Sequence, residues 1–595
     1  MLATRNRVTL SAFNPHSLEA QGVDMADLHI FQDSRIQFQD ISLLTGRDGT
    51  ADVILAFGPG AGIGRTGLTN GREVGDHFIF PATLENMLVW ERRLAPAPRL
   101  LALNRSGYGQ GFGAGNRIVT SWADLAILRA RRTFAGWDGI FQAMHRSAVP
   151  FWFVQQSIVR ELMPEGVNPR QYPGIGHTGG YGPRELLRAG LFAFASLGGY
   201  TQLDLPIGAD ADHAIVVGRD EGSLSRSLDL NKLAITESRD YTKFTVDTSH
   251  LFDFPVELQP ADQRRLMAAF KGRTWKVPNI LPGQPGFEFG FTAEQILRLG
   301  RKYWRACAVH KELYDLVAAL RGDEPFDYEL SLDETPEPTA PAELLFYLVL
   351  LEDVMGLPAG GVASAGPNIG FVKRHDYEGD LRSELWPQVN VSASILNQRG
   401  AMLSVHSADG VRASTGKGPG VDNVLASAAG GWAELKVADV YQEILWQVLA
   451  TSPERREREI FLEAWRRTGE AVCQLAGIYR EEVATRPATE AAQSLASKAG
   501  QEEIARGHGR EASHLAQAVI GYGLPLFKVA ADLFSATDLS QPNPEAELFR
   551  RFMFLTFREL RPTLFETLDD TGWQRLAAAI EDATRVRLDG MGWSA

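Results

Sequence analysis

The residues best suited to chemistry sit in one hexapeptide, Gly208-Ala209-Asp210-Ala211-Asp212-His213. It follows the apolar run Tyr200 to Ile207 and precedes Ala214-Ile215-Val216-Val217. That context predicts a strand whose carboxyl end gathers two carboxylates and an imidazole. Along a strand Asp210 and Asp212 point to one side and His213 to the other, but where the chain turns, adjacent side chains can converge. Carboxylates with an imidazole suit a divalent metal and a proton carrier. Alone, such a hexapeptide is more often a solvated loop with a surface histidine.

Three further segments have the same build. Phe326 to Glu334 alternates polar with apolar residues and ends in Asp333-Glu334-Thr335-Pro336. Lys243-Phe244-Thr245-Val246-Asp247 runs into Thr248-Ser249-His250, and Ala401 to Val405 runs into His406-Ser407. Each is a short strand ending in candidate ligands or proton carriers. In a parallel α/β barrel all strand carboxyl ends meet on one face, which holds the active site.

The chain that must position them has 595 residues, 44% hydrophobic and 22% charged, as in an ordinary globular protein with a large core. A net charge of −13 with no concentrated basic stretch argues against a nucleic-acid partner. Two cysteines, Cys307 and Cys473, lie in helical stretches and exclude a disulfide framework. Met1 to Gln21 lacks the apolar core of a signal peptide, and Leu344 to Met355 is too short to span a bilayer. A cytoplasmic enzyme acting on a small molecule is the expectation, with a homo-oligomer left open.

Eight strand segments alternate with helical ones: Leu100 to Leu103, Ala148 to Val154, the Asp212-His213 strand, Lys243 to Asp247, Phe326 to Asp333, Gly360 to Ile369, Leu403 to His406 and Ala433 to Val437. This predicts an α/β fold with a TIM-like (β/α)8 barrel over residues 99–439. A small N-terminal α/β module over 1–98 precedes it and a helical region over 440–595 follows. Gly62, Gly64 and Gly67 match a dinucleotide fingerprint, but Leu68-Thr69-Asn70-Gly71-Arg72 reads as a turn where that site needs a helix. Gly416-Lys417 lacks the spacing of a phosphate loop and reads as surface.

In chain order, Phe112 to Arg117, Gln155-Gln156-Ser157, Gly208 to His213 and Phe244 to Asp247 resemble the tagaturonate/fructuronate epimerase family. So do Ser331 to Thr335, Pro338 to Pro341, Asp376 to Leu381, Val405-His406-Ser407, Ala426-Ser427 with Gly430-Gly431, and Lys436. The resemblance runs from about Gly107 to Leu449. It implies a metal-dependent, TIM-like enzyme that inverts the carbinol carbon β to the ketone of a ketohexuronate, or of a ketohexose such as fructose or tagatose. The chain departs from that pattern in its greater length, in Asn116 for an aspartate, and in Pro367 for an arginine.

A hydrogen on the carbon β to a ketone is not made acidic by that ketone. Inversion there needs transient oxidation or retro-aldol cleavage and re-addition. The second route needs a Lewis acid or a Schiff-base lysine, and a base for the hydroxyl. By analogy with the Asp-His pair of metal aldolases, His213, Glu334 and His406 are the expected ligands of zinc, nickel or manganese. Asp212 is the expected acid/base, with Asp210 and Asp333 as further proton carriers or as groups that orient the histidines. Gln155, Gln156, Arg117, Asp247 and Lys436 are the expected substrate contacts. A sugar aldolase, an aldose–ketose isomerase and a non-catalytic sugar-binding protein are the alternatives.

Overall fold

The computed structural model describes residues 28–48, 51–75, 77–106, 110–114, 134, 136–158, 182–218, 220–333, 335, 337–372, 376–408, 410, 415–437, 440–463, 560, 563–564 and 566–593. The chain opens with β1 (Leu28–Phe38), β2 (Ile41–Asp48), β3 (Ala51–Phe57), β4 (Arg72–Val74) and β5 (His77–Pro81), an antiparallel sheet of order β1-β2-β3-β5-β4. Gly62, Gly64 and Gly67 lie in short helical turns after β3, and no parallel βαβ unit surrounds them. Helix α1 (Leu84–Val89) leads onward, capped by Thr83.

Eight parallel strands follow: β6 (Gln110–Ala114), β7 (Phe151–Ser157), β8 (Ile207–Ile215), β9 (Lys243–Asp247), then, past the hairpin β10 (Thr274–Val277) and β11 (Phe287–Gly290), β12 (Asp327–Leu332), β13 (Ser364–Pro367), β14 (Met402–Val405) and β15 (Ala433–Val437). Each pairs with the next along this series, and β15 pairs with β6, closing the ring. Helices separate the strands: α2 (Trp137–Ser147), α3 (Pro183–Ser196), α4 (Glu221–Glu237), α5 (Pro260–Phe270), α6 (Ala293–Arg321), α7 (Pro341–Val349), α8 (Trp386–Gln398) and α9 (Val421–Ala428). Helix α10 (Val440–Ala450) follows β15, and α11 (Asp570–Gly590) packs against α2, α9 and α10. No helix among the described residues is long and apolar enough to cross a membrane.

Local chemistry accounts for these boundaries. Helices α3, α5 and α7 begin with a proline, whose fixed φ and missing N–H suit a first helical position. Helices α4 and α6 begin with capping boxes, Asp220 with Ser223 and Thr292 with Gln295. Apolar residues on the outward strand faces, among them Phe244, Val246, Tyr328, Leu330 and Leu435, are buried under the helices in one continuous core.

Two expectations are corrected. The first ring strand is the glycine-alternating Gln110–Ala114. Leu100 makes only an isolated bridge to Ile207. Ring membership depends on backbone hydrogen bonds to β15 and β7, which apolar composition does not report. The hexapeptide lies inside β8 and not at the end of the Tyr200 run, which forms turns.

One polar group ties the outer helices to the ring. His310 of α6 is fully buried, with Nε2 3.1 Å from Thr248 Oγ1 and Nδ1 3.1 Å from the Tyr328 hydroxyl. Thr248, just past β9, also meets the Tyr347 hydroxyl at 3.0 Å. Burial pushes the imidazole down to about 3 and raises the neighbouring hydroxyls of Tyr328 and Tyr347 and the thiol of Cys307. Between its ordinary 6.5 and about 3 the unfolded chain therefore holds a proton that the folded chain refuses. His310's contribution to stability is complete above that upper value and falls as pH drops through the window, by up to about 1.4 kcal/mol per unit. The His310→Gln protein is expected to be less stable at neutral pH and to lose less on acidification. Denaturant midpoints measured from pH 7 to pH 4 check this, and parallel profiles for the two proteins would refute it.

Candidate active site

The interior of the ring is charged. Barrel interiors are usually filled by branched apolar side chains. Here the inward positions of β8, β9, β12 and β15 carry Asp210 and Asp212, Lys243 and Thr245, Asp327, Glu329 and Ser331, and Glu434 and Lys436, all buried. Their apolar neighbours in sequence face outward, so each strand alternates with polar side in.

Glu329 is the hub. Its Oε2 lies 2.6 Å from Lys243 Nζ and accepts a hydrogen bond from Ser364 Oγ at 2.7 Å. Its Oε1 lies 2.7 Å from both Lys436 Nζ and His406 Nε2. Lys436 also reaches Asp210 at 2.8 Å and Asp212 at 3.1 Å, and donates to Thr245 Oγ1 at 2.7 Å. Lys243 is bonded to Glu434 and stands over the Trp152 ring at 4.0 Å. Below them Asn104 donates to Glu434 at 3.2 Å, and the backbone N–H groups of Asn104 and Arg105 donate to Asp327 at 3.0 Å.

The two buried glutamates divide in protonation. Against the pull of burial, Lys243, Lys436 and His406 hold the Glu329 carboxyl well below its usual range. Burial pushes Glu434 up to about 8, and the neighbouring Glu329 adds to the rise. Asp210 is raised by burial and by Asp212 against the opposing effect of Lys436. Both lysines are desolvated, yet the surrounding carboxylates raise them, Lys436 well above the ordinary lysine value. Neither is a free amine, so neither suits a Schiff base.

Nearer the strand carboxyl ends the cluster reaches the histidines. A bulge in β8 between Ala211 and Ala214 places His213 in the left-handed region at φ 54°. This kink is how adjacent residues of opposite strand faces converge: His213 Nε2 lies 3.6 Å from Asp212 Oδ1, and its ring centroid is 5.6 Å from that of His406. His406 presents Nδ1 to Asp333 Oδ1 at 3.0 Å, while Ser331 Oγ donates to the same oxygen at 2.8 Å. Glu329 and Asp333 overcome burial and raise His406 to about 10; Asp333 is lowered mainly by His406 against its own burial. Gly366 makes room for this ring, because a Cβ there would stand 2.8 Å from His406 Nε2.

Of the residues expected from sequence, Asp210, Asp212, His213, Asp333, His406 and Lys436 meet in this one cluster. Gln155 is buried and donates to Asp210 at 3.4 Å, which ties strand to strand. Asp247 accepts from the N–H of Ser249 at 2.7 Å, holding the turn after β9. Gln156 is on β7, but its side chain, like Glu334, Arg117 and Asn116, lies outside the described residues. Sequence reasoning missed Lys243, Glu329, Glu434 and Thr245. The signal was present as strict alternation of charged and apolar residues. Lys417 was expected at the surface. It is 1% exposed, donates to the carbonyl of Val372 and lies over the Phe371 ring at 5.4 Å.

Among the described residues no three His, Cys, Asp or Glu side chains form a finished ion cage. The donor types nevertheless suit one. A cation at His406 Nδ1 would replace the proton between it and Asp333, while Nε2–H stayed on Glu329, the outer-partner arrangement common for ligating histidines. The loops leaving β12 and β13 border a cavity of about 590 Å³ lined by Pro338, Ile369, Asp376, Tyr377, Glu378 and Glu384 among others, none of them a member of the cluster.

Residues 184–410 match the family model of tagaturonate epimerase. A tagaturonate/fructuronate epimerase of Thermotoga maritima is 27% identical over 274 residues, 44% of this chain and 49% of that protein. The match thus spans about half the length of that curated relative. Crystal structures of fructuronate-tagaturonate epimerase UxaE from Cohnella laeviribosi share the fold. The native form has a TM-score of 0.56 at 19% identity over 97% of this chain and 99% of that one, and a glycerol complex 0.57 at 19% over 98% and 100%.

The division of charge predicts unequal effects of two similar substitutions. Glu329→Gln removes the anion shared by two ammonium groups and an imidazolium, and is expected to cost about 3–5 kcal/mol of stability. Glu434→Gln replaces a carboxyl already largely protonated near neutrality and is expected to cost roughly 1 kcal/mol or less. Urea unfolding of both variants at pH 7 measures this. Equal losses would mean the proton is not on Glu434.

Proposed function

We propose that this chain is an epimerase that inverts the carbinol carbon β to the ketone of a ketohexuronate of the tagaturonate/fructuronate kind. One observation carries the reading. The segment matching the tagaturonate epimerase model contains Asp210, Asp212, His213, Asp333 and His406, and these side chains meet at one end of the strand ring with Lys436 from outside that segment. We read the ring as a TIM-like barrel, in which chemistry sits at the strand carboxyl ends.

We assign a divalent ion, zinc, nickel or manganese, to His213, His406 and Glu334, with Asp333 beside them. When bound, such an ion polarises the substrate ketone as a Lewis acid. The chain's own residues supply the proton chemistry by the retro-aldol route. Asp212 takes the proton of the hydroxyl on the inverted carbon as that carbon becomes an aldehyde and the adjoining carbon–carbon bond opens. After the aldehyde turns its other face, the bond re-forms and Asp212 returns the proton. Lys436, 3.1 Å from Asp212, keeps the carboxylate charged and aimed between transfers. The fixed charges behind it need no reorganisation during the step.

The Asp212→Asn protein is expected to keep its fold and its bound metal but to lose turnover by 10²–10⁴-fold, the usual worth of a general acid/base. His213→Ala should fail to retain metal. Elemental analysis and kinetics on the purified variants decide both, and an Asp212→Asn protein within about tenfold of wild type would remove that residue from the role.

The direct test is incubation with fructuronate, tagaturonate, fructose and tagatose and a series of divalent metals, read by chromatography. Epimerisation keeps the ketose, an aldolase releases fragments, an isomerase moves the carbonyl, and a binding protein leaves the panel unchanged. Pro367 ends β13 where the family pattern has an arginine, and Lys436 is already neutralised by three carboxylates. We expect a relaxed preference for uronates, below about 10³-fold in kcat/KM over the matched ketohexose. A larger ratio would mean that another cation holds the carboxylate.

A further inference from the structure

We propose that Arg587, on the C-terminal helix α11, is a positioning residue that locks the turn after His406; its catalytic consequence rests on the reading of the site given above. Arg587 is 2% exposed. Its fork holds Asp422, at the start of α9, by Nε to Oδ2 at 2.5 Å and Nη2 to Oδ1 at 2.8 Å. The remaining Nη1 donates to the carbonyl of Ala408 at 3.2 Å. The guanidinium also lies against Gly416, where a Cβ would stand 2.6 Å from Cζ and where φ is +53°. One side chain far along the sequence thus fixes three points of the connection between β14 and α9.

That connection carries strain next to the site. Ser407 has φ +52°, a left-handed conformation that a residue with a side chain keeps only where its surroundings impose it. Ala408 supplies the restraint: its N–H donates to the carbonyl of Lys436 at 3.3 Å while its own carbonyl receives Arg587. His406 leaves β14 one residue before this turn, so the direction of its ring toward Asp333 depends on the turn being held. The restraint spreads further. The carbonyl of Lys417 accepts the N–H of Tyr377 at 2.9 Å, and Lys417 Nζ holds the carbonyl of Val372, joining this connection to the cavity-lining loop after β13. A lysine at 587 keeps charge but not the fork, so it can hold Asp422 or Ala408 but not both in register.

The test uses the full chain and two independent readouts. In hydrogen exchange, Arg587→Ala and Asp422→Asn are each expected to speed exchange over residues 415–421 by tenfold or more, with exchange over β9 and β12 unchanged. In kinetics, each is expected to lower kcat/KM by about 10–100-fold, Arg587→Lys to recover part of the loss, and the double variant to be no worse than Arg587→Ala. Should Arg587→Ala not fold, Asp422→Asn carries the test. Unchanged exchange over 415–421 overturns the proposal, as do fully additive losses or a variant that is merely less stable with wild-type constants. If the wild-type chain turns over no sugar, the proposed function fails, and the exchange result still decides whether Arg587 holds the turn.

Discussion

The structure depends on keeping charge balanced inside a ring of strands that excludes water. Moving an ammonium or a carboxylate out of water costs several kcal/mol even after relaxation, and only close, well-ordered partners offset that cost. Glu329 provides them. At 2.6–2.7 Å from both Lys243 and Lys436, each attraction is worth about 6 kcal/mol at an effective dielectric near 20. The ammonium groups of Lys243 and Lys436 and the imidazole of His406 stand among the carboxyl groups of Glu329, Glu434, Asp210, Asp212 and Asp333. Burial raises Glu434 and Asp210, and a neighbouring carboxylate, Glu329 for the first and Asp212 for the second, adds to the rise.

The same balance fixes geometry. Glu329, Lys243, Lys436 and Asp210 are each bonded from at least two other strands, so rotating one strands a charge on another. His406 inherits its orientation from Glu329 at one nitrogen and Asp333 at the other, and Gly366 leaves the room that this pose needs. The gradient along the ring matters for chemistry. Lys243, Glu329 and Glu434 are sealed, whereas Asp212 and His213 keep some exposure near the strand ends.

How much was legible in the sequence follows from which forces act locally. Strands β8, β9, β12, β14 and β15 were visible because their outward faces are apolar and their ends carry acids or histidines. Strand β6 was not, because Gln110–Ala114 joins the ring through backbone hydrogen bonds to β15 and β7, which residue type does not report. Lys243, Glu329 and Glu434 were overlooked because their burial becomes tolerable only once distant strands bring the opposite charge. The bulge at His213 has no glycine to announce it; the ring's closure and the Asp212 contact impose it. Lys417 looked like a surface lysine in a glycine-rich loop, since its carbonyl and aromatic partners come from the loop after β13.

The commitment of Lys436 bears on how a proton can move. An ammonium with three carboxylates within 3.1 Å has little attraction left for a fourth, so it is poorly placed to bind the carboxylate of an incoming sugar acid. What it can do is distribute charge. If Asp212 takes a proton, Lys436 still keeps Asp210 at 2.8 Å and Glu329 at 2.7 Å, and Thr245 is bonded to both Lys436 and Asp210. In that case the groups behind Asp212 keep the contacts they already make. A group that both accepts and returns a proton needs such a setting, because its two states must be close in energy while its position stays fixed.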